Sequence, residues 1–208
     1  MKPVVVQKII DESKENVWKA ITEHSQMIQW FFDNLLPEEG ARTLLARDLN
    51  VNEADSFGIL SIVGSESAGA ITLTTEPLDN KLEFTPLSYE NLNDRISSLP
   101  DIPLNNVESK RMSIAGAQHK MLVILDGGNF FEPVGSTPSS HILKPEHSRP
   151  DLYWQTVRNE WFVMNLAKAV GLDVPHTEVC YLPEPVYIIE RFDRVALFPN
   201  QLRVHALD

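Results

Sequence analysis

The sequence predicts an α+β fold: a small N-terminal subdomain of helices with a little strand, then an antiparallel sheet carrying one long helix. Three observations predict it. Residues 40–63 hold two short runs with helical apolar spacing, each bounded by turn or capping residues. From residue 111 the pattern changes to short apolar runs separated by turns, among them Asp126-Gly127-Gly128-Asn129, a hairpin signal. Within that second part only Asp151 to Val170 is long enough for a major helix, and Gly171 supplies a glycine at its C-terminal end.

The elements follow in order. Residues 3–10, rich in valine and isoleucine, read as a strand, and Ser13 as the N-cap of a helix whose apolar face includes Val17, Trp18 and Ile21. A helix over about 40–49 turns Leu44 and Leu45 inward; Asn52 to Asp55 cap the next, with Phe57, Leu60, Ile62 and Val63 as its core residues. Ala70-Ile71-Thr72-Leu73-Thr74 reads as a strand. Residues 76–106, rich in proline, asparagine and serine, read as a linker with a short helix near 88–98. The expected segments are therefore 1–33, 34–106 and 107–208. In the last, strands are expected near 111–114, 120–125, 130–133, 140–144, 177–182 and 186–191.

Composition narrows the function. The 208 residues include 29 acidic and 18 basic side chains, a net charge of −11, with no lysine/arginine run. Such a surface repels phosphate backbones and argues against direct nucleic-acid binding. No apolar run approaches the ~20 residues of a membrane span, and Val4-Val5-Val6 is too short for a signal-peptide core, so a cytoplasmic location is expected. Cys180 is the single cysteine, which precludes an intrachain disulfide and suits a small buried apolar residue better than a nucleophile. The six histidines lack metal-ligand spacing and no Gly-x-Ser-x-Gly elbow occurs, so metalloenzyme and hydrolase readings have no support.

The residues that point to chemistry lie between Ser113 and Arg194. Ser113-Ile114-Ala115-Gly116-Ala117-Gln118-His119-Lys120 is a small-residue loop ending in a lysine. Small residues let a backbone approach phosphates so that successive N–H groups become donors, although the same residues also suit a plain tight turn. Lys144 ends the apolar run His141-Ile142-Leu143, where a lysine needs a reason to sit. Glu160, sixteen residues on in the long helix, supplies one: a strand lysine held by a helix glutamate is how protein kinases orient a cation on nucleotide phosphates. A snorkelling lysine beside a solvated helix face is the alternative. Ile188-Ile189-Glu190-Arg191-Phe192 has the form of a strand entering a hinge, where backbone groups can read an adenine edge. Asp193 is expected to form a structural salt bridge with Arg191 or Arg194, and Ser56-Phe57-Gly58, in a helical pattern, is not a metal-binding tripeptide.

Together these motifs, with Pro145, Asn159, Gly171-Leu172-Asp173-Val174-Pro175, Phe32-Asp33-Asn34-Leu35-Leu36-Pro37-Glu38 and Gly64-Ser65-Glu66-Ser67-Ala68-Gly69-Ala70-Ile71, resemble the HipA family of serine/threonine kinase toxins over about 32–208. The resemblance implies a kinase-like N-lobe. It implies that Ser113 is autophosphorylated and that Ile114, Ala115, Gly116, Ala117, Gln118, His119 and Lys120 form the phosphate loop. Lys144, supported by Glu160, would be the ATP-phosphate lysine, and Glu190 and Phe192 the adenine-contacting hinge. It further implies ATP as cofactor, a HipB-like antitoxin as partner and an aminoacyl-tRNA synthetase as substrate. The helical C-lobe, with its catalytic and metal-binding aspartates, is absent from the chain, so magnesium is expected only if that lobe is supplied. A lobe without its partner should expose an apolar underside and self-associate. Residues 3–33 resemble instead the opening strand and helix of a START-like (SRPBCC) domain. The alternative to a kinase part is a non-enzymatic remnant that binds an antitoxin or a nucleotide.

Overall fold

The computed structural model describes residues 33–73, 81–99, 101–102, 104, 116–195 and 198–204. The strand expected over 3–10, the helix after Ser13 and the strand near 111–114 lie outside them, as do Ser113, Ile114 and Ala115.

Two helices open the described chain, α1 (Glu39–Leu49) and α2 (Ser56–Val63). Asn50, left-handed at φ 55°, ends α1, and the Asp55 carboxylate caps α2 by accepting from the Gly58 amide at 2.8 Å. Leu36, Leu45, Leu49, Ile59, Leu60 and Val63 close a small core between them. β1 (Glu83–Leu87) and α3 (Tyr89–Ser97) follow, α3 within the helix expected near 88–98, and Ser88 caps it by accepting from the Asn91 amide. Next come β2 (Met121–Asp126), β3 (Asn129–Val134), β4 (His141–Pro145), α4 (Thr156–Ala169), β5 (Thr177–Tyr181) and β6 (Pro185–Glu190), then a two-strand ribbon of β7 (Arg194–Val195) and β8 (Leu202–Arg203). The large sheet is antiparallel throughout, in the order β1-β3-β2-β4-β6-β5.

Period-2 alternation sorts its residues onto two faces. Met121, Val123, Leu143, Val186 and Ile188 turn to one side, where α3 brings Leu92, and Leu87 and Leu104 join them in the main core. Leu122, Ile124, Lys144 and Tyr187 alternate to the other face, the side on which α4 packs over β5 and β6. Cys180 is half-buried against the main core, and burial pushes its thiol pKa up, as suits an inert residue.

Three expectations need correction. Residues 71–73 form no strand: Leu73 N–H donates to the Gly64 carbonyl, and Ile71 O and Thr72 Oγ1 accept from side chains, so the backbone is held by a loop and not by a ladder. The long helix begins at Thr156, because Asp151 pairs with Arg149 and Gln155 is left-handed at φ 48°. The stretch read as a linker supplies β1, an edge strand, which tolerates Pro86 where a central strand would not.

A buried ionic joint ties the loop after α2 to the far end of the sheet. Glu66, fully buried, accepts from Ser139 N and Oγ, Arg191, Arg194 and Arg203. Asp193 accepts from Arg191 and from the Gly69 amide at 2.7 Å and pairs with Arg194, the structural bridge expected of it. Burial alone would raise the Glu66 pKa, but Arg203, Arg194, Arg191 and the Ser139 hydroxyl outweigh it and hold the carboxyl below its ordinary range.

Candidate functional site

The site is built on the α4 face of the sheet. Lys144 Nζ donates to Glu160 Oε2 at 2.7 Å, with both side chains only partly exposed. The register that makes this pair is fixed next door. Glu146 accepts from Thr156 Oγ1 at 2.9 Å and from the Val157 amide at 3.4 Å, capping the uncapped first turn of α4, while Thr156 Oγ1 accepts from the His147 amide. The end of β4 thus grips the start of α4, and Glu160, one turn further on, meets Lys144. Tyr187, cross-strand from Lys144, places its ring 5.7 Å below the ammonium. Burial and the nearby Glu160 charge push the Tyr187 hydroxyl up to about 12, so it stays protonated.

Gly116 to Lys120 run past this pair into β2. Met121 lies opposite Leu143, so one further step of the register sets Lys120 opposite Lys144. Gly116 is at φ +107°, and a Cβ there would meet Lys120 Nζ at 2.7 Å. Only glycine lets the lysine lie against the loop at that point. Gln118 Nε2 donates to the Pro145 carbonyl at 3.0 Å and pins the loop to β4. On its other side Gly116 bridges Pro37, and its carbonyl accepts from the Glu38 amide at 3.3 Å. His119 is pushed down by burial and by His147.

Burial, and then the Lys144 charge, push the Lys120 ammonium down to about 8, against the opposing pull of Glu160 and Glu38. The unfolded chain keeps that proton to about 10.5, so the folded state gains stability as pH rises from about 8 to 10.5. Urea midpoints measured across that window should climb for the wild type and stay flatter for Lys120→Met. Equal pH slopes in the two proteins would refute this placement of Lys120.

The predicted residues thus fall in two groups. Gly116, Gln118, Lys120, Lys144 and Glu160 converge. Glu190, the last residue of β6, sits three residues beyond Tyr187, the partner of Lys144, or about 10 Å at strand spacing, and Phe192 lies past the end of the strand. Both are exposed, Phe192 at 72%. Two backbone donors there are already engaged: Glu190 N–H with the His176 carbonyl and Arg191 N–H with that of Ser140, both at 2.9 Å. Sequence reasoning missed Glu38, Glu146 and Tyr187. The only signal for Glu146 was its place two residues beyond Lys144. Chemically, two ammonium groups beside a glycine-bent backbone suit a polyanion such as a phosphate chain.

Comparison with known proteins places the chain. The HipA N-terminal domain family model matches residues 11–74, and the HipA-like C-terminal domain model matches residues 112–208. The first span takes in most of the stretch likened above to a START-like opening, so the family match extends across that proposed junction. "Putative kinase Y4mE" of Sinorhizobium fredii is 38% identical over 79% of this chain and 40% of its own length. The serine/threonine-protein kinase toxin HipA of Shewanella oneidensis is 31% identical over 90% of this chain and 43% of its own. A solved complex of Shewanella oneidensis HipA, HipB and operator DNA contains a chain that aligns with a TM-score of 0.70 at 30% identity, covering 88% of this chain and 43% of that one. The chain thus spans about two fifths of the length of the relatives it matches.

Proposed function

Since the chain belongs to the HipA family, we propose that it is the nucleotide-holding part of a HipA-type serine/threonine kinase and that ATP is what it holds. The observation that carries this reading is the Lys144–Glu160 pair at 2.7 Å, with Lys120 lying against the positive-φ Gly116. A kinase lysine must be oriented, and a phosphate loop must leave room for a cation beside bent backbone; both requirements are met. On this reading Lys144 meets the phosphates and Ile114 to Lys120 cradle them. Glu190 and Phe192 flank the base, and Ser113 is the autophosphorylated serine. ATP supplies the transferable phosphoryl group.

Transfer needs an acceptor-orienting aspartate and metal ligands. Among the described residues no group of three His, Cys, Asp or Glu side chains could hold a metal ion. On this reading transfer needs a complementing lobe, and magnesium and activity come with that lobe. The complemented kinase takes a HipB-like antitoxin as partner and an aminoacyl-tRNA synthetase as substrate, in the cytoplasm. No helix among the described residues is long and apolar enough to cross a membrane. Calorimetric titration of the chain with ATP, with and without magnesium, tests the central claim: saturable binding supports it, and no heat at millimolar ATP sinks it.

A second reading, an interaction module, is favoured by α4. Its Phe162, Val163 and Leu166, with Val170 at its C-terminal cap, form a stripe at helical spacing on the side away from Val157, the buried contact, and all four are more than half exposed. Trp154, 76% exposed, lies in the loop that leads into the helix. Such a surface favours association, so light scattering should report a dimer or larger species at micromolar concentration. A monodisperse monomer would count against it.

A further inference from the structure

The ionic joint around Glu66 carries an imbalance. Among the described residues three guanidinium groups, Arg191, Arg194 and Arg203, meet two carboxylates, Glu66 and Asp193. Arg191 is only 3% exposed and uses all three of its nitrogens, whereas Arg203 Nε is buried with no hydrogen-bond partner among the described residues. Gln201 Nε2 is in the same position, in a side chain nine-tenths buried. Gln201 and Arg203 are two residues apart across exposed Leu202, so the strand period turns both to the inner side. A buried positive charge without a counter-charge is expensive, and so is a buried donor without an acceptor. The Arg194 guanidinium responds accordingly: burial lowers its pKa, the charges of Arg191 and Arg203 add to that, and Glu66 and Asp193 oppose it.

We propose that this joint is a binding site for one monovalent inorganic anion of chloride type, held by Gln201 Nε2 and Arg203 Nε. One such ion supplies both things the geometry asks for. It would accept from the two N–H groups that the strand period sets on one side, and it brings the single negative charge that balances the described cations and carboxylates of the joint. A water molecule would satisfy the donors and leave the charge. Chloride suits the place because it surrenders its hydration more readily than fluoride and has no fixed shape to match. The ion would be structural, coupling the β7–β8 ribbon to the loop at Glu66.

The test uses the full chain. Thermal midpoints are compared in sodium fluoride, chloride and bromide at matched concentration. General salt effects follow hydration and favour fluoride, so a specific site reverses the order. For an ion held about 20-fold above its dissociation constant, the midpoint should rise by about 5 °C in chloride over fluoride. Gln201→Glu places a carboxylate where the ion would sit and should abolish the difference. Chloride-35 line broadening on titration of the wild type gives a readout that does not depend on the variant folding. Broadening saturated by bromide supports the site. An absence of broadening, or midpoints in the fluoride-favouring order, overturns it.

Discussion

Replacing Glu66 by alanine should cost about 4 kcal/mol of folding free energy, a large share of the roughly 5–15 kcal/mol of a typical domain. The side chain is fully buried and receives three arginines and both donors of Ser139. Removing it strands Arg191, Arg194 and Arg203 away from water with Asp193 as the one carboxylate left to them among the described residues, and removing one partner of a buried ion set costs far more than the set contributes net. Glu66→Gln keeps an acceptor for Ser139 and loses the charge, so it should fall between alanine and wild type. Urea unfolding followed by tryptophan fluorescence measures both. A loss below 1 kcal/mol for alanine would mean that the joint is open to water. The same residue sets the acid limb. Its folded pKa lies below the ordinary 4.5, so its contribution is complete above that value and is lost as pH falls through the depressed one.

Lys144→Ala should weaken ATP binding about 10- to 100-fold, the scale of one charge-assisted hydrogen bond at about 1.5–3 kcal/mol. Stability should hardly move, because the Lys144–Glu160 pair is partly exposed and such pairs contribute little. That contrast separates a ligand-binding lysine from a structural one. Glu160→Gln should show a smaller loss in affinity, since it orients Lys144 without meeting the nucleotide. Calorimetry of the three proteins decides the matter: unchanged affinity in Lys144→Ala, or a loss matched by unfolding, removes Lys144 from the site.

How far the sequence carried can be judged from particular residues. Lys144 and Glu160 were legible because a lysine closing an apolar strand demands a partner, and the next helix offers an acid at short range. The hairpin at Gly127-Gly128 and the cap at Asp55 were legible because their chemistry is local. Glu66 was not, since its partners lie 73 to 137 residues away, and such pairings arise only once the fold exists. The strand expected at residues 70–74 misled for a related reason: Ile71 and Thr72 favour extended backbone, yet their polar groups are claimed by Ser67 and Arg203. Pro86 and the surrounding polar residues hid an edge strand, and Asp151, apt as an N-cap, pairs with Arg149 instead.

The bridge between Pro37 and Gly116 has a consequence for timing. Its bond, from the Glu38 amide to the Gly116 carbonyl, is 3.3 Å long, beyond the usual range, and proline has no amide to add a second donor from its own position. The bend beside Lys120 is thus latched weakly on one flank and anchored by Gln118 on the other. A segment fastened this way opens at the fast, shallow end of local motion, while the sheet beneath it opens only with the whole molecule. On the proposed reading, the loop would rearrange around an incoming phosphate chain many times within the lifetime of the fold that supports it.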